Sequence, residues 1–451
     1  MSSSAARPVP EIAGDALFHQ LFMSDETFGA IAEAIAASAP DLIRLSEIGR
    51  SQENRPIRLL TVTEFASGER EKPACFVQGC IHSKELSGAP VALDLARRLI
   101  AEHRPGGILS RAVFYIMPRC NPDGADRMAR FPGDERSSFG ADTGVPNTIE
   151  HYDIDGDGLA KQMRIADPDG ELCVSAVDPA CLEHRRPDSK GPFYKLVPEG
   201  MLQHWDGHTV PDYPPYAREY LDWNRNWPAG WKRENKGAGS APLCIPECKL
   251  QAEWLESLPN LRCAIALHNG YGSVMFPAPR PEDEAFFDAV ARRGAELSGY
   301  PCFCESALDL PDPAQWRLID AQSPDGQSYR KRKGAFTEYC YDRLRIPGLT
   351  IELGTRENSA GASTEDLMHR DAPYTAPYEI VRQQRENPDL PLCFFDWEPY
   401  EHPQLGHVEI GGSCPTLFAN PLPEFLAKVS AGVAQFVPEF LTACVRRDAG
   451  K

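Results

Sequence analysis

The apolar positions of this chain fall into short runs of two kinds. Phe28, Ile31, Ile35 and Leu42 recur at near-helical spacing among alanines, so residues 1–45 read as a helical prelude. Strand signals follow at Arg58–Val62, Cys75–Ile81 and Ala112–Met117, each rich in β-branched or aromatic residues. Between the last two, Ala89–Ile100 places Val91, Leu93, Leu95, Leu99 and Ile100 on the apolar side of a helix. Helices alternating with short, wholly apolar strands predict an α/β fold whose sheet is covered on both faces.

From about Ala125 to Tyr220 this periodicity gives way to Gly, Pro, Asp and charged residues, which predicts a large irregular insertion. The pattern returns at Leu261–Leu267, in a helix from about Glu282 to Ser298, and at Leu349–Leu353. A Pro-rich stretch from about Pro388 leads to a last apolar helix, Phe425–Cys444.

Composition narrows the class. With 42% hydrophobic and 25% charged residues over 451 positions, disorder along most of the chain is ruled out. The 47 basic against 65 acidic residues give a net charge of −18, which disfavours non-specific binding to nucleic acid or anionic membrane. The longest apolar runs fall far short of the roughly 18 residues a membrane span needs. The opening Met-Ser-Ser-Ser-Ala-Ala-Arg-Pro lacks the basic start and apolar stretch of a secretory signal, so a cytoplasmic location is expected. The 14 cysteines are then expected as reduced thiols, and no pair of CxxC motifs offers a thiolate zinc site.

Four segments carry candidate chemistry. In Gly79-Cys-Ile-His82-Ser-Lys-Glu85, at the end of a strand and the start of a helix, His82 and Glu85 are three apart and can meet one ion, although HxxE alone also fits a surface pair. His268 ends the apolar strand Ala264-Ile-Ala-Leu-His and completes a set of two histidines and one carboxylate, the ligand number of a catalytic zinc with one open position. Glu352 lies inside the apolar run Leu349-Thr-Ile-Glu-Leu, where a glutamate is either paired, for instance with Arg356, or functional. Beside a zinc site it could take a proton from water and give it to a leaving amine. Finally, Asp222-Trp-Asn224-Arg225-Asn-Trp227 offers a fork of donors for a carboxylate and, in Asp222, a carboxyl able to orient a ligand histidine.

The ordered set His82-x-x-Glu85, Asn121-Pro-Asp-Gly124, Asp222-x-Asn224-Arg225-Asn-Trp, His268 and Glu352 resembles the zinc metallocarboxypeptidases, the carboxypeptidase A-like group, from Ile48 to Glu357. The resemblance implies a three-layer α/β/α sandwich around a mixed, mostly parallel sheet, with the site at the carboxyl ends of the strands. It implies His82, Glu85 and His268 as ligands of one Zn2+, Glu352 as general base, and Asn224 and Arg225 as the holders of a free C-terminal carboxylate. It also implies Asp222 as partner of the first histidine, and Arg164 as the carbonyl-polarising arginine, with Arg136 the second choice. Tyr329 matches a mobile tyrosine that closes over bound peptide, Lys84 a residue lining an outer subsite, and Thr337 the base of the specificity pocket. The expected organisation is a prelude (1–45), a catalytic domain (46–360) with its insertion at about 125–220, and a C-terminal extension (361–451) packing on it.

The implied activity is hydrolysis of the C-terminal peptide bond of a substrate with a free carboxylate, a peptide or a small amide. The alternatives are a zinc amidohydrolase acting on N-acyl amino acids or cell-wall peptides, and a catalytically silent peptide-binding module. Three secondary features remain. Asp153-Ile-Asp155-Gly-Asp157-Gly resembles the opening of a calcium loop, but Arg164 stands at the twelfth position, which excludes an EF-hand; a turn stabilised by aspartates is the ordinary reading and a partial calcium site at Asp153, Asp155 and Asp157 the alternative. Tyr329-Arg-Lys-Arg-Lys333 is a basic run beside the expected pocket. A strand-like alternation around Thr337 would turn Glu338 away from that pocket. His402 and His407 read as part of a structural extension.

Overall fold

Strands that are apolar on both faces need cover on both, and they occupy the middle of this molecule. The computed structural model describes residues 14–210, 215–304, 334–368 and 378–450. Its main sheet has eight strands in the spatial order Ile43–Arg50, Pro56–Val62, Val113–Met117, Ala74–Gly79, Leu261–His268, Gly348–Glu352, Ser273–Phe276 and Cys302–Cys304. The four central strands, Val113–Met117 to Gly348–Glu352, are mutually parallel. Antiparallel strands flank them on either side, so the sheet is mixed.

One face, with Cys75, Val77, Phe114, Ile116, Ile265 and Leu267, packs beneath the helices Asp25–Ser38, Gly88–Ala101, Glu284–Ser298 and Pro423–Ala449. The other, with Phe76, Tyr115, Ala264 and Ala266, packs beneath Pro246–Glu256, Phe336–Asp342 and the indoles of Trp223 and Trp227. Burial on both sides, worth about 1.5–3 kcal/mol for each large apolar side chain, sets the three-layer α/β/α architecture.

The insertion departs from the irregular stretch expected. It forms short strands, among them Gln162–Ala166, Leu172–Val174, Leu182–His184 and Phe193–Pro198, which join the hairpin Phe394–His402/Gly406–Ser413 in a six-stranded antiparallel sheet. Strands of 3 to 6 residues are too short to print a periodicity on the sequence, and the hairpin that pairs with Gln162–Ala166 lies more than 200 positions away. The C-terminal extension thus splits its contacts: its hairpin extends the insertion's sheet, and its last helix, Pro423–Ala449, covers the main one. Residues 336–342 form a helix, not a strand, so the alternation argument for Glu338 fails: Thr337 and Glu338 are both buried. Among the described residues no helix is long and apolar enough to cross a membrane.

Candidate metal centre

The parallel register brings His268 level with Glu352 at the carboxyl ends of adjacent strands. The neighbouring strand Ala74–Gly79 delivers the segment 80–87 to the same edge. Its path is set by close backbone contact: a Cβ on Gly79 would lie 2.8 Å from the carbonyl carbon of Gly88, where the next helix begins. Cys80 takes a left-handed conformation (φ 55°) to make that reversal. Residues 82–87 form a turn ahead of the helix and not its first turn, and the bond from Glu85 N to His82 O, 3.2 Å, draws the two side chains together.

There they meet His268. Ligand atoms of His82, Glu85 and His268 all lie within 4.8 Å of one another, and all three residues are buried. His82 Nδ1 is 2.8 Å from Glu85 Oε1 and 3.2 Å from His268 Nδ1, which is 3.0 Å from Glu85 Oε2. His82 Nε2 faces Asp222 Oδ1 at 3.1 Å, a contact suited to holding the ring proton on Nε2 when Nδ1 serves as a ligand. Two imidazole nitrogens and a carboxylate point at one place. The donor set of two nitrogens and one carboxylate suits zinc.

Arg136, the second choice of the sequence reading, stands beside this group. Its Nη1 donates to Glu85 Oε1 at 2.8 Å and its Nε to Asp222 Oδ2 at 3.2 Å. Burial opposes every charge in this group, but the charges compensate one another. Glu85 is held well below the usual carboxylate range by His82 and Arg136, and Asp222 likewise by Arg136 and His82. The guanidinium of Arg136, against the same opposing burial, is held above its ordinary value by Asp222 and Glu85.

Asp222 also caps the turn Trp223–Arg225 through Asn224 N, 2.8 Å. This loop is pinned to the start of the helix Phe336–Asp342: Asn224 Oδ1 accepts from Phe336 N at 2.8 Å, and Trp227 N donates to Gly334 O at 2.9 Å. Asn226 holds the loop from within, donating to Asp222 O and accepting from Gly239 N. Arg225 is half-buried, with Nη1 on Asn224 O. Thr337 is buried against the strand Gly348–Glu352, where a Cβ on Gly348 would lie 3.0 Å from Thr337 O.

Three residues that the sequence reading passed over support the centre. Asn269 N donates to Glu85 Oε2 at 3.1 Å. Asn420, from the C-terminal extension, accepts from Leu86 N, Ser87 N and Asn269 Nδ2 and donates to Lys84 O, so it clamps the turn that bears Glu85. Gly270 leaves room for the general-base candidate, since a Cβ there would lie 2.5 Å from Glu352 Oε2. Asn269 and Gly270 directly follow His268, a local hint; nothing near Asn420 in sequence marks it.

Other expectations land elsewhere. Arg164 is not brought to the centre: it sits in the six-stranded sheet, bonded through Nε and Nη2 to both oxygens of Glu409 at 2.8 and 2.9 Å. The rings of Tyr194 and Trp397 flank it at 4.7 and 4.8 Å, a structural cross-link between insertion and hairpin. Lys84 is held by Asp134 at 2.5 Å. Tyr329 lies outside the described residues. At the calcium-like loop, Asp153, Asp155 and Glu199 come together, but the Lys161 ammonium already sits on Asp155 and Asp157, and the remaining aspartate oxygens take backbone N–H groups of their own turn. His402 accepts turn amides of Gln404 and Leu405 and faces Gly200 O, a structural role.

A sequence model of the family described as zinc carboxypeptidase matches residues 29–144. Over these residues the chain is similar to the zinc carboxypeptidase family. Human carboxypeptidase D is 31% identical over 140 residues, 26% of this chain and 10% of that protein. Carboxypeptidase B of Astacus astacus is 30% identical over 93 residues, 20% of this chain and 30% of that one. Mouse carboxypeptidase A4 is 25% identical over 317 residues, 66% and 58% respectively. The chain therefore spans less than two-thirds of the length of each of these carboxypeptidases. Among solved structures, bovine thrombin-activatable fibrinolysis inhibitor in complex with tick carboxypeptidase inhibitor shares the fold, with a TM-score of 0.50 and 14% identity over 95% of this chain and 99% of that one.

Proposed function

We propose that this chain is a zinc-dependent carboxypeptidase that removes the C-terminal residue of peptides. The observation that carries the reading is the convergence of His82, Glu85 and His268 on one point at a sheet edge where Glu352 is the next residue in register. Zinc held by these three would acidify water and polarise the scissile carbonyl. Glu352 takes the proton of the attacking water and returns it to the leaving amine. Asp222 keeps His82 in the tautomer that presents Nδ1. Arg136, braced by Asp222 and Glu85, places a fixed positive charge where the carbonyl oxygen gains negative charge, the role the sequence reading first gave to Arg164. Asn224 and Arg225 hold the terminal carboxylate, and Thr337 contributes to the pocket for the terminal side chain.

The test is a mixed pool of unblocked peptides given to the zinc-loaded protein, with products read by mass spectrometry. Stepwise loss of C-terminal residues, abolished by C-terminal amidation, is expected. Cleavage that ignores amidation would remove the role of Arg225. Release of acyl groups from N-acyl amino acids, with peptides intact, would replace the reading by that of an amidohydrolase.

A further inference from the structure

A cavity of about 800 Å³ adjoins the turn that carries His82 and Glu85, yet neither those residues nor His268, Glu352 or Arg225 line it. One wall is the helix Pro122–Arg130 and the residues just after it; the other is the strand Thr148–His151, the loop to Ala160 and residues 216–218, all from the insertion. The family match ends at residue 144, so this second wall lies outside it. The cavity shares its first wall with the metal centre. Asp134 takes the ammonium of Lys84, Glu135 accepts from Ser83 Oγ at 2.9 Å, and the next residue, Arg136, reaches Glu85. Ser83 and Lys84 are the two residues between His82 and Glu85.

The lining has a definite chemistry. Six acidic residues line it, Glu53, Asp123, Asp134, Glu135, Glu150 and Asp153, against Arg127 and Arg218. Lys84, Arg55 and Arg127 neutralise part of that charge by pairing with Asp134, Asp123, Glu53 and Glu135. On the insertion's wall Glu150 has no ion-pair partner among the described residues, and Asp153 accepts only backbone N–H groups of its own turn. Between the carboxyls lie aromatic rings. Phe131 and Tyr152 are 68% and 45% exposed, Phe139 stands 5.4 Å from Tyr216, and Trp223 donates its indole N–H to Ser138. Ring faces beside uncompensated carboxylates select a cation on an apolar stem and disfavour an anion.

We propose that this chamber binds an ammonium or guanidinium group of the substrate on the acyl side of the scissile bond, so that the enzyme prefers peptides that are basic upstream of their C-terminal residue. The inference rests on the carboxypeptidase reading, which assigns the terminal carboxylate to Arg225, outside the chamber. The cation can be a lysine or arginine side chain or, in a short peptide, the free N-terminus.

The test uses N-acetylated hexapeptides with one C-terminal residue, in which a single lysine, or norleucine as its neutral counterpart, is moved through the upstream positions. A parallel set keeps the N-terminus free. Release of the C-terminal residue gives kcat/KM, and calorimetric titration of the zinc-loaded Glu352→Gln protein gives affinity without turnover. Lysine is expected to exceed norleucine about fivefold or more at one or more positions, and Glu150→Lys to bring that ratio close to one. An advantage of the free over the acetylated N-terminus at only one peptide length would assign the chamber to the terminal ammonium. A ratio near one at every position and length, with hydrolysis proceeding, overturns the chamber and leaves the carboxypeptidase reading standing. Absence of hydrolysis overturns that reading instead, and the affinity ratio then decides the chamber: above one supports it, near one ends it.

Discussion

In the six-stranded sheet, Arg164 is bonded by both oxygens of Glu409 and lies between two aromatic rings. At the edge of the main sheet, His82, Glu85 and His268 turn ligand atoms toward one another across 2.8–3.2 Å. The regions differ in depth: the side chains of Arg164 and Glu409 are 9% and 25% exposed, those of His82 and Glu85 1% and 4%. In the first, one guanidinium meets one carboxylate through two bonds and lies between two rings, a contact that stabilises the protein by itself. In the second, two imidazole nitrogens and a carboxylate crowd one point, and the surrounding Asp222, Arg136, Asn269 and Asn420 hold them there. An ion pair closed on itself marks structure; ligand-type atoms gathered at one buried point by a rigid frame mark a place for something else.

Substitutions can break or sharpen this contrast. The largest effect is expected from Gly270→Ala, whose new Cβ would meet Glu352 Oε2 at 2.5 Å and displace the proposed general base. A fall of about 100-fold in kcat/KM, with zinc content unchanged, is expected from steady-state kinetics and metal analysis. Asp222→Asn frees His82 from its oriented tautomer and removes one partner of Arg136; zinc affinity should fall about 10–100-fold in a competition titration with a chelator. Arg164→Met acts on the other region. It leaves Glu409 unpaired and should lower unfolding stability by about 2 kcal/mol in a denaturant titration, while kcat of the folded enzyme stays within about twofold. Loss of catalysis in folded Arg164→Met, with Arg136→Met active, would reverse the assignment of the two arginines.

The same contrast explains what could be read from the sequence. The parallel strands were legible because strands buried on both faces are written as unbroken apolar runs, and the polar residues at their ends, His268 and Glu352, stand out against them. His82 and Glu85 were legible through their spacing, although a turn and not a helix brings them together. The insertion's strands were not, since three to six residues carry no usable period and one of them, Gln162–Ala166, pairs with a hairpin far along the chain. Arg164 was implied by the family resemblance, but its position is set by register with Glu409, which spacing does not encode. Arg136 is placed beside Glu85 by contacts distant in sequence, Ser83 N bonding its carbonyl and its Nη1 reaching Glu85, which spacing does not encode either. The helix at 336–342 was misread because Phe, Tyr and Thr favour strands in isolation, while here packing of Phe336 and Tyr339 against Trp227 decides.

The central claim is that His82, Glu85 and His268 hold one zinc ion with Glu352 beside it and not among its ligands. The most direct measurement is zinc stoichiometry after dialysis against a weak chelator, determined on the unaltered chain, His268→Ala and Glu352→Gln. One zinc per chain, lost in His268→Ala and retained in Glu352→Gln, is the predicted result. A chain that takes up no zinc, or keeps it when His268 is removed, would contradict the account.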